Sequence, residues 1–371
     1  MHRSLSYRVK IARAAALVLA LFAGASGLEA QSPTVPVTVD QDGTVHVPAM
    51  SVPVSSLSSP EAQAYVAEHL RQMQQPALLQ QVNGVPVFMK PYLARQTALF
   101  AHKKVEATIG GVHVYDYAPA AGIAPANRHR VLINLHGGGF SGCFPGCAEL
   151  ESIPVTALGR VRVVSVDYRE GPDHKFPAAS EDVASVYRAL LKSYPAKNIG
   201  IYGCSAGGML TGMAMAWFDK HGLPLPGAIG IFCAGATTSA FGFGGDADFV
   251  AIPIGEARAA PAWPPAEPNA GTKLPYLAGT DPKDPLVNPG ISDAVMRRFP
   301  PTLIITATRG FEYSSAVHTH AQLVRLGVDA ELHVWEGLFH GFFYNPDVPE
   351  SREAYDVMVR FFDRHLGRAE R

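Results

Sequence analysis

The chain has 371 residues, 47% of them hydrophobic and 17% charged, with a formal net charge of -1. This balance excludes a disordered chain and argues against a nucleic-acid binder, and it predicts a large buried core. The length exceeds that of an ordinary domain, but single α/β domains often pass ~250 residues, so one large domain with decorations is expected.

At the amino end, Arg3, Arg8, Lys10 and Arg13 precede an apolar run from Ala14 to Ala25, and small residues lead on to Ala30 in "LEAQS". Residues 1–30 therefore have the layout of a signal peptide. The apolar run falls well short of the ~20 residues that span a bilayer, so export with no stable membrane insertion is expected. Residues 31–104 read as an extended lead-in rich in Pro, Ser, Thr and Val, followed by cap helices. The first of these is "SPEAQAYVAEHLRQMQQP", with Ser59 as N-cap, Pro60 at the first helical position and Pro76 as the stop.

Residues 105–368 form the main domain. Short apolar runs ("VLINLHG", "VRVVSVDY", "NIGIYG", "AIGIFCAG", "TLIITAT", "AELHVWEG") alternate with helical patterns, which argues for a mostly parallel sheet with helices on both faces. Val183, Val186, Tyr187, Leu190 and Leu191 repeat at three-and-four spacing, the stripe of a helix packed on that sheet. "SREAYDVMVRFFDRHL" gives a closing helix. From about 237 to 289 the alternation breaks into Gly- and Pro-rich sequence, the expected cap insertion. Export permits disulfides. Cys143 and Cys147 could close a small loop if their Cα atoms come within about 7 Å, and the spacing leaves this open. Cys204 and Cys233 read as buried free thiols.

Three motifs carry chemistry. In "NIGIYGCSAGGML", Gly203, Ser205 and Gly207 form G-x-S-x-G between a predicted strand and a predicted helix. A sharp strand-to-helix turn there would strain the serine backbone, present the hydroxyl at the sheet edge and require small flanking residues. In "HGGGF", residues 136–140, consecutive glycines after a strand let backbone N–H groups face a reacting carbonyl. The amides of Gly138, Gly139 and Ala206 are the expected oxyanion hole, with His136 orienting the loop. No Gly-Lys-Ser/Thr ending follows, so a phosphate loop is not indicated. His340, in "WEGLFHGFF" after the last strand, stands last in chain order, where a base that takes and returns the serine proton belongs.

"HGGGF", "DYREGPDHKFPAASED" and "GCSAGG" together resemble the hormone-sensitive-lipase-like (HGGG) branch of the α/β-hydrolase esterases, over roughly residues 105–366. The resemblance implies an α/β-hydrolase fold and a capped carboxylesterase for short to medium acyl esters, working without cofactor or metal. Two positions depart from that pattern. Cys204 stands where the family's elbow has Asp, and the family's acid, on the loop after the strand "PTLIITA", is replaced in "TRG" by Gly310. Asp284-Pro285-Leu286 has the look of an acid motif but precedes that strand. Glu312 is the carboxylate within the correct loop, two residues late and one methylene longer than Asp. It either serves as the third catalytic residue or simply opens the following helix, favoured there by the helix dipole, with the acid absent. The leading expectation is an exported serine carboxylesterase using Ser205, His340 and Glu312 on a small-molecule ester, with a homodimer left open. The alternatives are a weakened hydrolase that binds a ligand, or a lactone or amide hydrolase using the same Ser and His.

Overall fold

The computed structural model describes residues 38–41, 43, 45–46, 51–236 and 274–367. The expected signal segment and residues 237–273 of the expected cap insertion lie outside the described residues. The chain divides into two units, residues 1–53 and 54–371. In the first, β1 (Thr38–Val39) pairs antiparallel with β2 (Val45–His46), and Asp40 meets His46 at 2.8 Å. All chemistry considered below belongs to the second.

That unit begins with α1 (Pro60–Gln72), where Ser59 Oγ accepts the N–H of Ala62 at 3.0 Å and Pro60 fills the first turn, where no backbone donor is needed. The helix closes at Met73, ahead of Pro76, so the proline marks the next turn and not the helix end. Its buried side is Ala62, Tyr65, Val66 and His69, the spacing of one helical face. A short hairpin follows, β3 (Gln81–Val82) with β4 (Val85–Pro86), then α2 (Lys90–Leu99).

Among the described residues the central sheet has eight strands: β5 (His102–Ile109), β6 (Val112–Pro119), β7 (Val131–Leu135), β8 (Arg162–Val166), β9 (Ile199–Cys204), β10 (Ala228–Phe232), β11 (Thr302–Ala307) and β12 (Ala330–Trp335). Their spatial order is β12-β11-β10-β9-β7-β8-β6-β5. The strands from β12 to β8 pair parallel, while β6 pairs antiparallel with both β8 and β5 at one edge. The expected mostly parallel sheet is present, and its central strands are buried along their whole length, as strands covered on both faces must be.

The helices are α3 (Gly146–Gly159), α4 (Ala178–Leu190), α5 (Ala206–Lys220), α6 (Asp293–Met296), α7 (Tyr313–Arg325) and α8 (Pro349–His365). Strand alternation sorts the core into two layers. Val131, Ile133, Ile201 and Ile304 pack with α4, α5 and α7, whereas Leu132, Tyr202, Leu303 and Ile305 pack with α3 and α8. The stripe Val183, Val186, Tyr187 and Leu190 faces the first layer, with Leu191 half-buried at its end.

β9 and α5 close tightly on the end of β7. A Cβ at Gly203 would stand 2.2 Å from the Leu135 carbonyl oxygen, and one at Gly207 1.7 Å from it. Both positions therefore exclude every other residue for reasons of space, not backbone angle. Gly207→Ala should lower stability by about 3 kcal/mol in urea unfolding through overpacking. Gly212→Ala, one turn on, meets only ordinary contacts at 3.6–3.7 Å and should be neutral or gain up to about 1 kcal/mol of helix propensity.

Candidate active site

The carboxyl ends of β7, β9, β11 and β12 share one sheet edge, where an open parallel sheet leaves loops free to converge. Ser205 joins β9 to α5 with φ 58° and ψ -123°, a positive φ that a side-chain-bearing residue adopts only under constraint, and its N–H is tied to the Phe232 carbonyl at 2.9 Å. The glycine loop follows β7, with Gly138 and Gly139 at φ 122° and 65°. A Cβ on Gly138 would strike the Gly142 carbonyl at 1.9 Å and Cys143 Cβ at 2.8 Å. Behind that loop Cys143 and Cys147 are joined in a disulfide with Cα atoms 5.3 Å apart, which closes the question their spacing left open. Cys204 and Cys233 are buried free thiols, as expected.

Glu312 lies in the loop between β11 and α7. It does immediately precede α7, but its side chain makes no capping bond. Instead Oε2 lies 2.9 Å from Nδ1 of His340, and Oε1 accepts the hydroxyl of Thr306 at 3.0 Å. The carboxylate is fully buried. With Nδ1 engaged, Nε2 is the nitrogen of His340 left for proton transfer. A Cβ at Gly310 would sit 2.4 Å from Glu312 Oε1, 2.8 Å from Cδ and 2.9 Å from Oε2. The glutamate carboxylate folds back into the space a side chain at 310 would take. Asp284 is occupied elsewhere, its Oδ1 accepting the N–H of Leu286 at 2.9 Å within its own turn.

His136 is a buried support for the loop. It stacks on Tyr168 with centroids 4.3 Å apart, Nδ1 lies 2.8 Å from the Gly137 carbonyl, and burial pulls its pKa down to about 4. Tyr168 in turn donates to the His136 carbonyl at 2.6 Å.

Ser205, His340, Gly138 and Gly139 line one pocket of about 190 Å³, walled by Tyr65, His69, Phe88 and Tyr92 from α1, α2 and their connection, by Phe339 from the loop after β12, and by the Cys143–Cys147 bridge. His69 stacks on Phe339 at 3.8 Å and 6°, and burial, with the nearby His340, lowers its pKa to about 4. The wall is mainly apolar, and burial holds its His69 neutral near pH 7.

Sequence reasoning missed Thr306, His69 and Glu151. Glu151 is an acidic residue on the buried side of α3, between Leu150 and Ile153, and that misplaced polarity was its only signal. Burial pushes its carboxyl up to about 7 despite the hydrogen bonds it accepts. Among the described residues, Cys233, Glu312 and His340 place potential ligand atoms within 4.8 Å of one another. Burial raises the Cys233 thiol above its usual range, disfavouring the thiolate a metal needs, and Glu312 and His340 already satisfy each other. Among the described residues no helix is long and apolar enough to cross a membrane.

Residues 132–344 match a family defined by the α/β-hydrolase fold. An acetyl-hydrolase of Streptomyces hygroscopicus is 28% identical over 70% of this chain and 84% of its own length. A solved structure of an esterase, E25, superimposes with a TM-score of 0.71 at 27% identity, covering 86% of this chain and 98% of that one. An esterase from the bacterial hormone-sensitive lipase family gives a TM-score of 0.66 over 83% of this chain and 99% of its own, and at 22% identity that likeness speaks to the fold alone.

The shared space at 310 and 312 makes a stability prediction. Gly310→Asp should lower the midpoint of thermal unfolding, at a cost of about 1–3 kcal/mol, because two carboxylates compete for one site. Adding Glu312→Ala should restore much of the loss. Additive losses would refute shared occupancy.

Proposed function

The chain belongs to the α/β-hydrolase fold family, and on that premise we propose that it is an exported serine carboxylesterase acting on short to medium acyl or aryl esters. The observation that carries the reading is the 2.9 Å bond between Glu312 and His340, whose ring shares a pocket with the strained Ser205. Ser205 Oγ attacks the ester carbonyl while His340 Nε2 takes its proton, and the buried carboxylate of Glu312 stabilises the imidazolium. The amides of Gly138, Gly139 and Ala206 hold the oxyanion. Collapse of the tetrahedral intermediate passes the proton from His340 to the leaving alcohol and leaves an acyl-serine, which water attacks by the same route.

The small apolar pocket favours a compact, uncharged acyl or ring-bearing ester, and a relative that is an acetyl-hydrolase supports the short-acyl end. The ligand-binding alternative drew its support from the vacancy at Gly310; a carboxylate bonded to His340 removes that support. Export rests on the charged-then-apolar amino end and accords with the disulfide, since oxidising compartments preserve such bonds.

With 4-nitrophenyl butyrate as substrate, Ser205→Ala should abolish turnover, and Glu312→Gln should lower kcat by about 10⁴. Undiminished hydrolysis by Ser205→Ala would sink the esterase reading. A neutral effect of Glu312→Gln would remove only its assigned acid. Mass spectrometry of the protein recovered outside the cytoplasm should find Gln31 at the amino terminus; an intact Met1 in that fraction would contradict signal cleavage.

A further inference from the structure

The reaction just described makes no use of Glu151, yet this carboxylate touches nearly every segment the reaction needs. It is 3% exposed. Oε1 accepts the backbone N–H of Gly137, in the glycine loop, at 2.9 Å, and the hydroxyl of Tyr344, just beyond His340, at 2.9 Å. Oε2 accepts the side-chain amide of Asn134, at the end of β7, at 2.9 Å, and the backbone N–H of Cys204, next to Ser205, at 3.3 Å. Its own backbone carbonyl accepts the hydroxyl of Tyr202 at 3.0 Å. One side chain from α3 therefore joins the oxyanion loop, the nucleophile turn and the histidine loop.

We propose that Glu151 is a positioning residue for ester hydrolysis, holding the oxyanion amides in register with Ser205. The inference rests on the esterase reading. The chemistry of the contacts explains why a carboxylate stands there: all four partners are donors, and an ionised carboxylate is acceptor-only, with room for all of them. A glutamine would turn an NH₂ toward at least one donor. The loop and the nucleophile turn approach closely enough to need such a register, since a Cβ on Gly137 would lie 3.1 Å from the Cys204 carbonyl and 3.4 Å from Ser205 Cβ. Small errors there are costly because oxyanion stabilisation depends on donors fixed before the charge develops.

Other titratable groups around the carboxylate are Tyr344, Tyr202, Tyr168, Cys204, Cys233 and His136. Burial raises the hydroxyls and thiols and lowers the imidazole, so each is held neutral near pH 7. With its own carboxyl raised by burial to about 7, Glu151 is the group in this set that ionises near neutral pH, and among the described residues its four hydrogen-bond partners are uncharged donors.

The test compares parent and Glu151→Gln in steady-state hydrolysis of 4-nitrophenyl butyrate and in inhibition by phenylboronic acid, which forms a tetrahedral adduct on the serine. A positioning role predicts a fall in kcat of about tenfold to hundredfold with KM within about twofold, and a comparable weakening of the boronic acid in protein that remains folded. Unchanged kcat would overturn it. So would a loss that only tracks the folded fraction, with boronic acid affinity intact. Should Glu151→Gln not fold, Tyr344→Phe, which deletes one donor and keeps the carboxylate, provides the same comparison with a smaller expected fall. A parent inert toward every ester would instead refute the esterase reading, because the positioning test is read only as variant against parent.

Discussion

β9 and α5 press closely on the carboxyl end of β7. Without side chains at Gly203 and Gly207, the backbone of the turn passes the Leu135 carbonyl at a distance no Cβ could tolerate. That approach is what allows Ser205 to adopt φ 58° between a buried strand and a buried helix. The strain is local, while the packing that maintains it spans both faces of the sheet. The glycine loop leaving Leu135 and the serine leaving Cys204 then become neighbours by construction, since β7 and β9 are adjacent parallel strands in register Leu135 to Gly203.

The acid position shows a second use of missing side-chain volume. Gly310 is not required for its backbone angle, and its value is the room it leaves for the carboxylate of Glu312. Glu312 stands immediately ahead of α7, where a negative side chain would interact favourably with the helix dipole. It forgoes a capping bond there for a bond to His340 and another to Thr306. A bond between a fully buried carboxylate and an imidazole only 15% exposed can outweigh a cap at the helix start.

The same interior keeps its polar groups neutral or tied to dipoles. His69 and His136 are held neutral by burial, and the carboxylates of Glu151 and Glu312 accept N–H and O–H donors from Gly137, Tyr344 and Thr306. A pocket with such a wall and floor reserves strong electrostatic response for charge that develops during reaction. The N-terminal helices supply much of that wall, so a region that reads as decoration in the sequence shapes what the site admits.

The sequence by itself determined the elements and motifs whose physics is local or periodic. Alternating apolar runs make buried strands, the stripe through Val183 and Tyr187 makes a packed helix, and glycines mark where backbone must pass close. Parallel strands bring their carboxyl ends to one edge, which is why Ser205, His340 and the 136–140 loop were legible as neighbours there, while the strand order itself was not. The sequence could not decide matters of reach through space. Whether Glu312 turns back toward His340 depends on the volume vacated at Gly310. Whether Cys143 meets Cys147 depends on the path of a loop packed against Gly138, and Glu151 is identified only by four donors drawn from three segments, 134–137, Cys204 and Tyr344. Whether the partners stand four residues apart, as Cys143 and Cys147 do, or 28 apart, as Glu312 and His340 do, the path of the packed backbone decides if their atoms come within covalent or hydrogen-bonding distance.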